Sequence, residues 1–378
     1  MRNFTVTRIW GIPIRINVSL FVFLPILAWL IGSGQQIDVY AGLIGQLTGV
    51  DLALTQLRAG STPWVIGITA AIGLFLSVTL HELGHSWVAL RYGIGIDSIT
   101  LWILGGIASL QSLPREWNRE FWIAIAGPIT SLLVAGGCWI GLQLVPPSLP
   151  VPRFVVGWLA ITNVILAGFN LLPAFPMDGG RILRALLSRS RSYARATQIA
   201  GRIGVIFAML FAVVGVLSFS VLLILLALFI YGAATTESRT VLVDELLDGL
   251  TVGDIMLRDP PDVTTGTTIT ELLNRMIRDR QQAYLVTDDG TAVGVVTLAD
   301  LRRVDAGDRN ATTVEAVMQD VPRINVAADA FDSFVRIANG STPYAIVEDD
   351  TGVAGLLSQT DYAHALTIQR GFSAGIAG

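Results

Sequence analysis

Long apolar runs alternate with short polar segments over the first 234 residues and then give way to a different pattern. A bilayer-crossing helix needs roughly 20 apolar residues, and six runs approach or exceed that, near 17–35, 64–92, 120–143, 154–174, 197–217 and 219–234. The sixth is short, and little more than "VLSFS" divides it from the fifth. The first follows Arg2, Arg8 and Arg15, as in a secretory leader. It is long for such a leader, however, and no small-x-small cleavage site comes after it.

One apolar stretch does not fit a span. "GIDSITLWILGGIASLQS", 95–112, is broken by glycine and carries β-branched residues at alternate positions. It predicts a short membrane-associated hairpin or edge strand. Non-helical backbone at that depth must be sheltered by protein or line a wet cavity. Such an edge either receives an extended peptide or is a plain structural hairpin.

Beyond residue 250 short strand and helix signals repeat once. "TVGDIMLRD" at 251–259 matches "TVEAVMQDV" at 313–321, and "GVVTLADL" at 294–301 matches "GLLSQTDY" at 355–362, at offsets of 62 and 61. Each copy has a helical stretch (269–279, 328–338), then strand, turn, strand and helix start. A fixed offset means two copies of one unit packed together. The fold class expected is therefore an α-helical polytopic membrane protein with about six transmembrane helices and a short β hairpin, followed by a soluble α/β tandem. The expected boundaries are 1–234 for the membrane domain, 235–250 for a linker, 251–307 and 312–368 for the two copies, and 369–378 for a tail.

Charge supports that division. Of 378 residues only 14% are charged and 52% are hydrophobic, against about 25% charged in soluble chains. Residues 1–234 carry fourteen arginines and seven acids, whereas 235–378 carry eleven arginines and twenty-two acids. An acidic tail argues against nucleic-acid binding, which needs basic surface. The single cysteine, Cys138, lies in an apolar run and reads as a packed helix residue; alone it forms no intrachain disulfide and no cysteine zinc site. Arginines cluster at the N-terminus and over 181–202, with Arg115 and Arg119 in the loop 93–119, while 36–63 has only Arg58 and 144–153 only Arg153. Cytoplasmic loops retain positive charge, so an even number of spans puts both termini and the tandem in the cytoplasm.

"HELGH", 81–85, sits inside the second run. On a helix, residues i and i+4 share a face, so His81 and His85 can aim ring nitrogens at one ion. Glu82 turns aside by about 100° and can hold a water as general base. H-E-x-x-H in this sense is two zinc ligands plus a base. Glu82 is the only acid well inside any predicted span, and a carboxylate there costs at least about 2.5 kcal/mol. A purely structural helix has no reason to carry that cost. Catalytic zinc usually has three protein ligands. Asp178, in "FNLLPAFPMDGGRILRALL" at the cytoplasmic end of the fourth run, is the remaining candidate. It also reads as an N-cap for a helix at 181–188.

With "HELGH", "AGPITS" at 126–131 and "NLLPAFPMDGGR" at 170–181 in this order, residues 1–234 resemble the site-2 protease family of intramembrane zinc metalloproteases. Met177 stands where leucine is common in the family's N-x-x-P-x-P-x-x-D-G pattern. The resemblance implies one Zn2+ per chain on His81, His85 and Asp178, with Glu82 catalytic. It also implies a role for Asn170 at the substrate or transition state; an interhelical hydrogen bond is the other reading of that residue. It further implies single-span membrane-protein substrates, cleaved within the lipid.

Residues 251–368 resemble a tandem pair of cystathionine-β-synthase-type (CBS) domains. Each copy ends in G-h-h-[ST]-x-x-D: Gly294, Thr297 and Asp300, then Gly355, Ser358 and Asp361. The resemblance implies an adenine nucleotide (ATP, ADP or AMP) at Thr297, Asp300, Ser358 and Asp361, and a homodimer through these domains. The same hydroxyls read equally as helix caps. The expected protein is a multi-pass cell-membrane zinc endopeptidase in contact with lipid; the alternative is a CBS-regulated ion transporter or channel.

Overall fold

The computed structural model describes residues 3–103, 105–110, 116–340 and 342–375. Leu104 and residues 111–112 of the expected hairpin, Arg2, Arg115 and residues 376–378 of the expected tail lie outside them. The chain divides into two compact units, Met1–Arg239 and Thr240–Gly378.

The first unit opens with β1 (Asn3–Ile9) and β2 (Ile12–Asn17), paired antiparallel. Trp10 and Gly11 have φ of +53° and +81°, the twist that a two-residue hairpin turn requires. Asn17 then caps α1 (Val18–Ile31) through Ser19 N at 3.0 Å. This hairpin lies where the sequence showed only a basic flank. α1 has 14 residues, about 21 Å of rise, short of the ~30 Å hydrocarbon layer. It is followed at a 63° bend by α2 (Gly34–Thr48), so the first expected span is one arm of a bent pair. α2 and α3 (Leu54–Leu57) occupy much of the stretch 36–63 that the sequence presented as a loop.

α4 (Thr62–Arg91) leads into β3 (Ile96–Trp102) and β4 (Gly105–Leu110), which form the expected hairpin. β3 also pairs in parallel with β2, giving one sheet in the order β1-β2-β3-β4. α5 (Trp117–Leu144), α6 (Pro150–Asn170), the short α7 (Asp178–Leu187), α8 (Tyr193–Leu217) and α9 (Val221–Leu247) complete the unit and run past it. Among the described residues five helices, α4, α5, α6, α8 and α9, are long and apolar enough to cross a membrane, or six spans with the bent pair counted as one. α8 and α9 part at Phe219, whose φ is +53°. α9 continues through 235–247, where the sequence suggested a linker.

Large apolar side chains such as Leu133, Ile140, Leu217 and Leu222 are exposed on the outer faces, a surface that lipid would cover. Lipid tails are as apolar as leucine, so transfer drives little helix association here and close packing decides it. Gly67 of α4 lies against the Ala28 carbonyl of α1, and Gly157 of α6 against Ile44 of α2. A Cβ at either position would collide.

The second unit holds α10 (Val252–Ile255), β5 (Leu257–Arg258), β6 (Asp262–Thr264), α11 (Ile269–Asp279), β7 (Ala283–Asp288), β8 (Thr291–Thr297) and α12 (Leu298–Leu301), then β9 (Arg323–Asn325), α13 (Ala330–Ala338), β10 (Tyr344–Asp349), β11 (Gly352–Ser358) and α14 (Gln359–Gly375). Its sheets run β6-β7-β8 and β5-β11-β10-β9. The hairpins β7–β8 and β10–β11 both shift register, at Val286/Thr287 and at Val347/Glu348. Those sites are separated by the offset of the sequence repeat. β5, which belongs to the first copy by sequence, completes the sheet of the second through β11. Thr251 and Thr268 cap α10 and α11 with reciprocal bonds to Asp254 and Glu271.

Candidate metal centre

Pro63 opens α4 at its first turn, where the missing N–H costs nothing, and the helix then runs unbroken past His81, Glu82 and His85. The two imidazoles meet edge to face, ring centroids 4.8 Å apart, with Nε2 atoms 3.2 Å from each other. Asp178 comes from the first turn of α7, and its Oδ2 lies 3.1 Å from His81 Nε2 and 3.2 Å from His85 Nε2. All three side chains are buried. They are the one group of three or more metal-binding side chains among the described residues.

The outward nitrogens are also held. His85 Nδ1 lies 2.7 Å from the Ile123 carbonyl and His81 Nδ1 lies 2.9 Å from Ser131 Oγ. A carbonyl only accepts, so the His85 proton sits on Nδ1 and its Nε2 presents a lone pair. Ser131 can accept from His81 in the same way. Partners of this kind fix the tautomer and orientation of metal-ligating histidines. The result is two lone pairs and a carboxylate oxygen converging without a donor of their own. Bonds of 2.0–2.1 Å in a tetrahedral zinc site imply ligand spacings of about 3.3–3.4 Å, close to those observed. The residues present fit a zinc ion.

α5 makes this approach possible at Gly127: a Cβ there would strike Nε2 of both His81 and His85. Glu120, Ile123, Gly127 and Ser131 fall at helical spacing along one face of α5 and meet α7 or the imidazoles. Asp178 is not the cap of α7, since that position belongs to Met177. Gly179 and Gly180 pack onto the backbone of Leu171–Phe175, where a Cβ would collide, and this close turn aims Asp178 at α4. Glu82 is half-buried beside β4, and a Cβ on Gly106 would run into its Cγ and Cδ.

Asn170 ends α6 and donates from Nδ2 to Leu166 O in its own helix at 3.0 Å. The interhelical amide contact belongs instead to Asn163, fully buried, whose Nδ2 donates to Ser77 Oγ of α4 at 3.0 Å. Reasoning from the sequence missed Asn163, Ile123, Gly127 and the α5–α7 tie. The "AGPITS" motif pointed to two of the α5 positions without giving the reason for them.

In the second unit Thr297 Oγ1 donates to Asp300 Oδ2 at 2.6 Å, and Ser358 Oγ to Asp361 Oδ2 at 2.7 Å. Both motifs are thus capping pairs at the starts of α12 and α14. Asp300 is fully buried, and its other oxygen meets the Gln319 amide and, at 3.5 Å, Arg303. A cavity of about 520 Å³ lies beside Thr297, lined also by Gln282, Arg303, Gln319 and Tyr344.

The model of peptidase family M50 matches residues 69–151 and 148–211, and that of the CBS domain matches 252–307. A zinc metalloprotease of Methanocaldococcus jannaschii is 32% identical over 366 residues, covering 96% of this chain and 95% of its own. The chain belongs to peptidase family M50, the site-2 proteases. A Synechocystis sp. protein named as a candidate zinc metalloprotease is 31% identical over 376 residues, covering 94% of this chain and 93% of its own. The solved site-2 protease of M. jannaschii is 35% identical, covers 63% of this chain and 96% of its own, and superposes with a TM-score of 0.43. Like this M50 chain, the first two relatives span nearly their whole length in the match, and the chain is a zinc metalloprotease of site-2 type.

Proposed function

We propose that this protease cleaves single-span membrane proteins within the bilayer, with His81, His85 and Asp178 holding one zinc ion and Glu82 as catalytic base. The observation that carries the reading is the convergence, within hydrogen-bonding distance, of the two Nε2 atoms with Asp178 Oδ2, which lies 97 residues beyond His81 in sequence. When bound, zinc supplies Lewis acidity toward a water and a scissile carbonyl. Glu82 takes the proton of the attacking water and passes it to the leaving amide nitrogen.

β4 is the terminal strand of its sheet, and its Gly106 touches Glu82. A substrate helix unwound into an extended segment and added to β4 would pass beside the base. Asn170, at the same end of α6 as the loop to Asp178, is the side chain assigned to the bound substrate. The arginine pattern supports cytoplasmic termini. The cavity beside Thr297 supports an adenine nucleotide, with Arg303 for phosphate and Tyr344 for the base, and with Asp300 and the Ser358–Asp361 motif shaping the tandem around it. Homodimerisation through the CBS pair belongs to the same reading. An ion-transport role has less support, because the buried charges outside the triad are tied internally: Glu120 to Arg184, and Arg153 to carbonyls at the end of α5.

The test is Glu82→Gln in the full chain, reconstituted with a single-span substrate. Lost cleavage with full zinc content supports the assignment; undiminished cleavage defeats it.

A further inference from the structure

Arg184 is buried in the middle of α7, six residues beyond Asp178. Its Nε and NH2 reach Glu120 Oε1 of α5 at 2.7 and 2.6 Å, and its NH1 reaches Glu237 Oε1 of α9 at 2.6 Å. Its guanidinium lies 4.9 Å from the ring of Phe175, in the loop before Asp178, and 4.7 Å from that of Tyr193, at the start of α8. One side chain thus ties α7 to α5, α9, α8 and its own preceding loop.

A buried ion pair is weak evidence for stability, because desolvation offsets its attraction and apolar residues often do as well. What a planar, five-donor guanidinium supplies is fixed geometry. Glu120 stands on the α5 face that also carries the Ile123 carbonyl, Gly127 and Ser131. The helix that orients both imidazoles is therefore the helix to which Arg184 fastens the carrier of Asp178.

We propose that Arg184, braced by Glu120 and Glu237, is a positioning residue that sets the place of the Asp178 carboxylate against the two Nε2 atoms, and hence the metal affinity of the site. Because Glu237 lies on α9, a shift of that helix reaches the carrier of Asp178 through Arg184, beside the apolar clusters that Ile230 and Ala234 share with Ala174, Phe175 and Met177. The inference rests on the zinc reading given above.

The test measures zinc affinity by chelator competition, and the visible spectrum of the cobalt-substituted site, in purified full-length protein. The variants are Arg184→Gln, Arg184→Lys, Glu120→Gln and Glu237→Gln, beside wild type and Asp178→Ala. Loss of a group hydrogen-bonded to a ligand weakens metal binding by about 10–100-fold; Arg184 and Glu120 act one step further out, so a drop of severalfold up to about tenfold is expected for Arg184→Gln and Glu120→Gln, with a shifted cobalt spectrum. Arg184→Lys keeps the charge without the fork and is expected to fall between these variants and wild type. Glu237 is half-exposed and only one of the two acidic ties, so Glu237→Gln is expected to fold; its affinity drops by a smaller factor if the proposal holds. A lowered unfolding temperature with wild-type affinity and an unshifted spectrum in all folded variants overturns it. If wild type and Asp178→Ala bind equal zinc, the site reading itself falls, and this inference with it.

Discussion

The hydroxyl of Ser131 lies 2.9 Å from Nδ1 of His81, fifty residues earlier in the chain. The contact leaves Nε2 of that ring facing His85 and Asp178. Ser131→Ala frees the ring to turn or change tautomer. Zinc affinity is expected to fall about tenfold, with cleavage falling in step at limiting zinc. Chelator competition followed by an activity titration checks it.

Gly127 and Gly136 lie on the same helix in opposite circumstances. A Cβ on Gly127 meets both imidazoles, whereas nothing lies within 4 Å of one on Gly136. Gly127→Ala is expected to lose most bound zinc. Gly136→Ala should keep it and gain up to about 1 kcal/mol in helix propensity. Metal analysis and thermal unfolding of the two proteins side by side decide the matter; equal zinc in both would refute the packing argument.

Arg153 is buried at the first turn of α6, and its NH1 donates to Val145 O at 2.7 Å and Leu142 O at 3.4 Å. The carbonyls that end α5 are otherwise without helical partners. Arg153→Met is expected to destabilise the protein by roughly 2 kcal/mol, the scale of a buried hydrogen bond from a charged donor. Zinc affinity should not change. Denaturation in mixed micelles with metal titration separates the two effects.

The second unit should be acid-sensitive. Bonds from Thr268 N and Oγ1 hold the Glu271 carboxyl below its ordinary range, and bonds from Thr251 do the same for Asp254. In the unfolded chain these groups titrate near about 4. The folded state therefore binds fewer protons in the window just below that pH, and stability present above it is lost as pH falls through the folded values. Thr268→Val removes one donor and should flatten the acid limb of the unfolding profile between about pH 2 and 4. The same slope in both proteins would contradict the assignment.

The sequence made the side chains of the candidate centre legible because their chemistry is written in residue type and spacing. His81 and His85 share a helix face, and the two glycines after Asp178 announce the tight turn that delivers it. The partners that orient them were less visible, for definable reasons. The Ile123 contribution is a backbone carbonyl and that of Gly127 is an absent side chain, so neither leaves a chemical signature. Glu120 stood unmarked at the edge of an apolar run, and Arg184 sat within a basic cluster that reads as a topology signal; their pairing is a tertiary fact. The β1–β2 hairpin escaped notice because two six- to seven-residue strands give little periodicity. The Thr297–Asp300 and Ser358–Asp361 motifs were ambiguous between cap and ligand group, and the hydrogen bonds fill the cap role in both.

The four contacts of α5 leave from Glu120, Ile123, Gly127 and Ser131. A helix advances about 100° per residue. Inserting or deleting one amino acid anywhere between Glu120 and Ser131 would swing part of that row a quarter-turn or more out of phase. No single compensating substitution could bring it back. This stretch of polypeptide behaves as a ruler with fixed graduations, whose four marks must keep their separations along the helix.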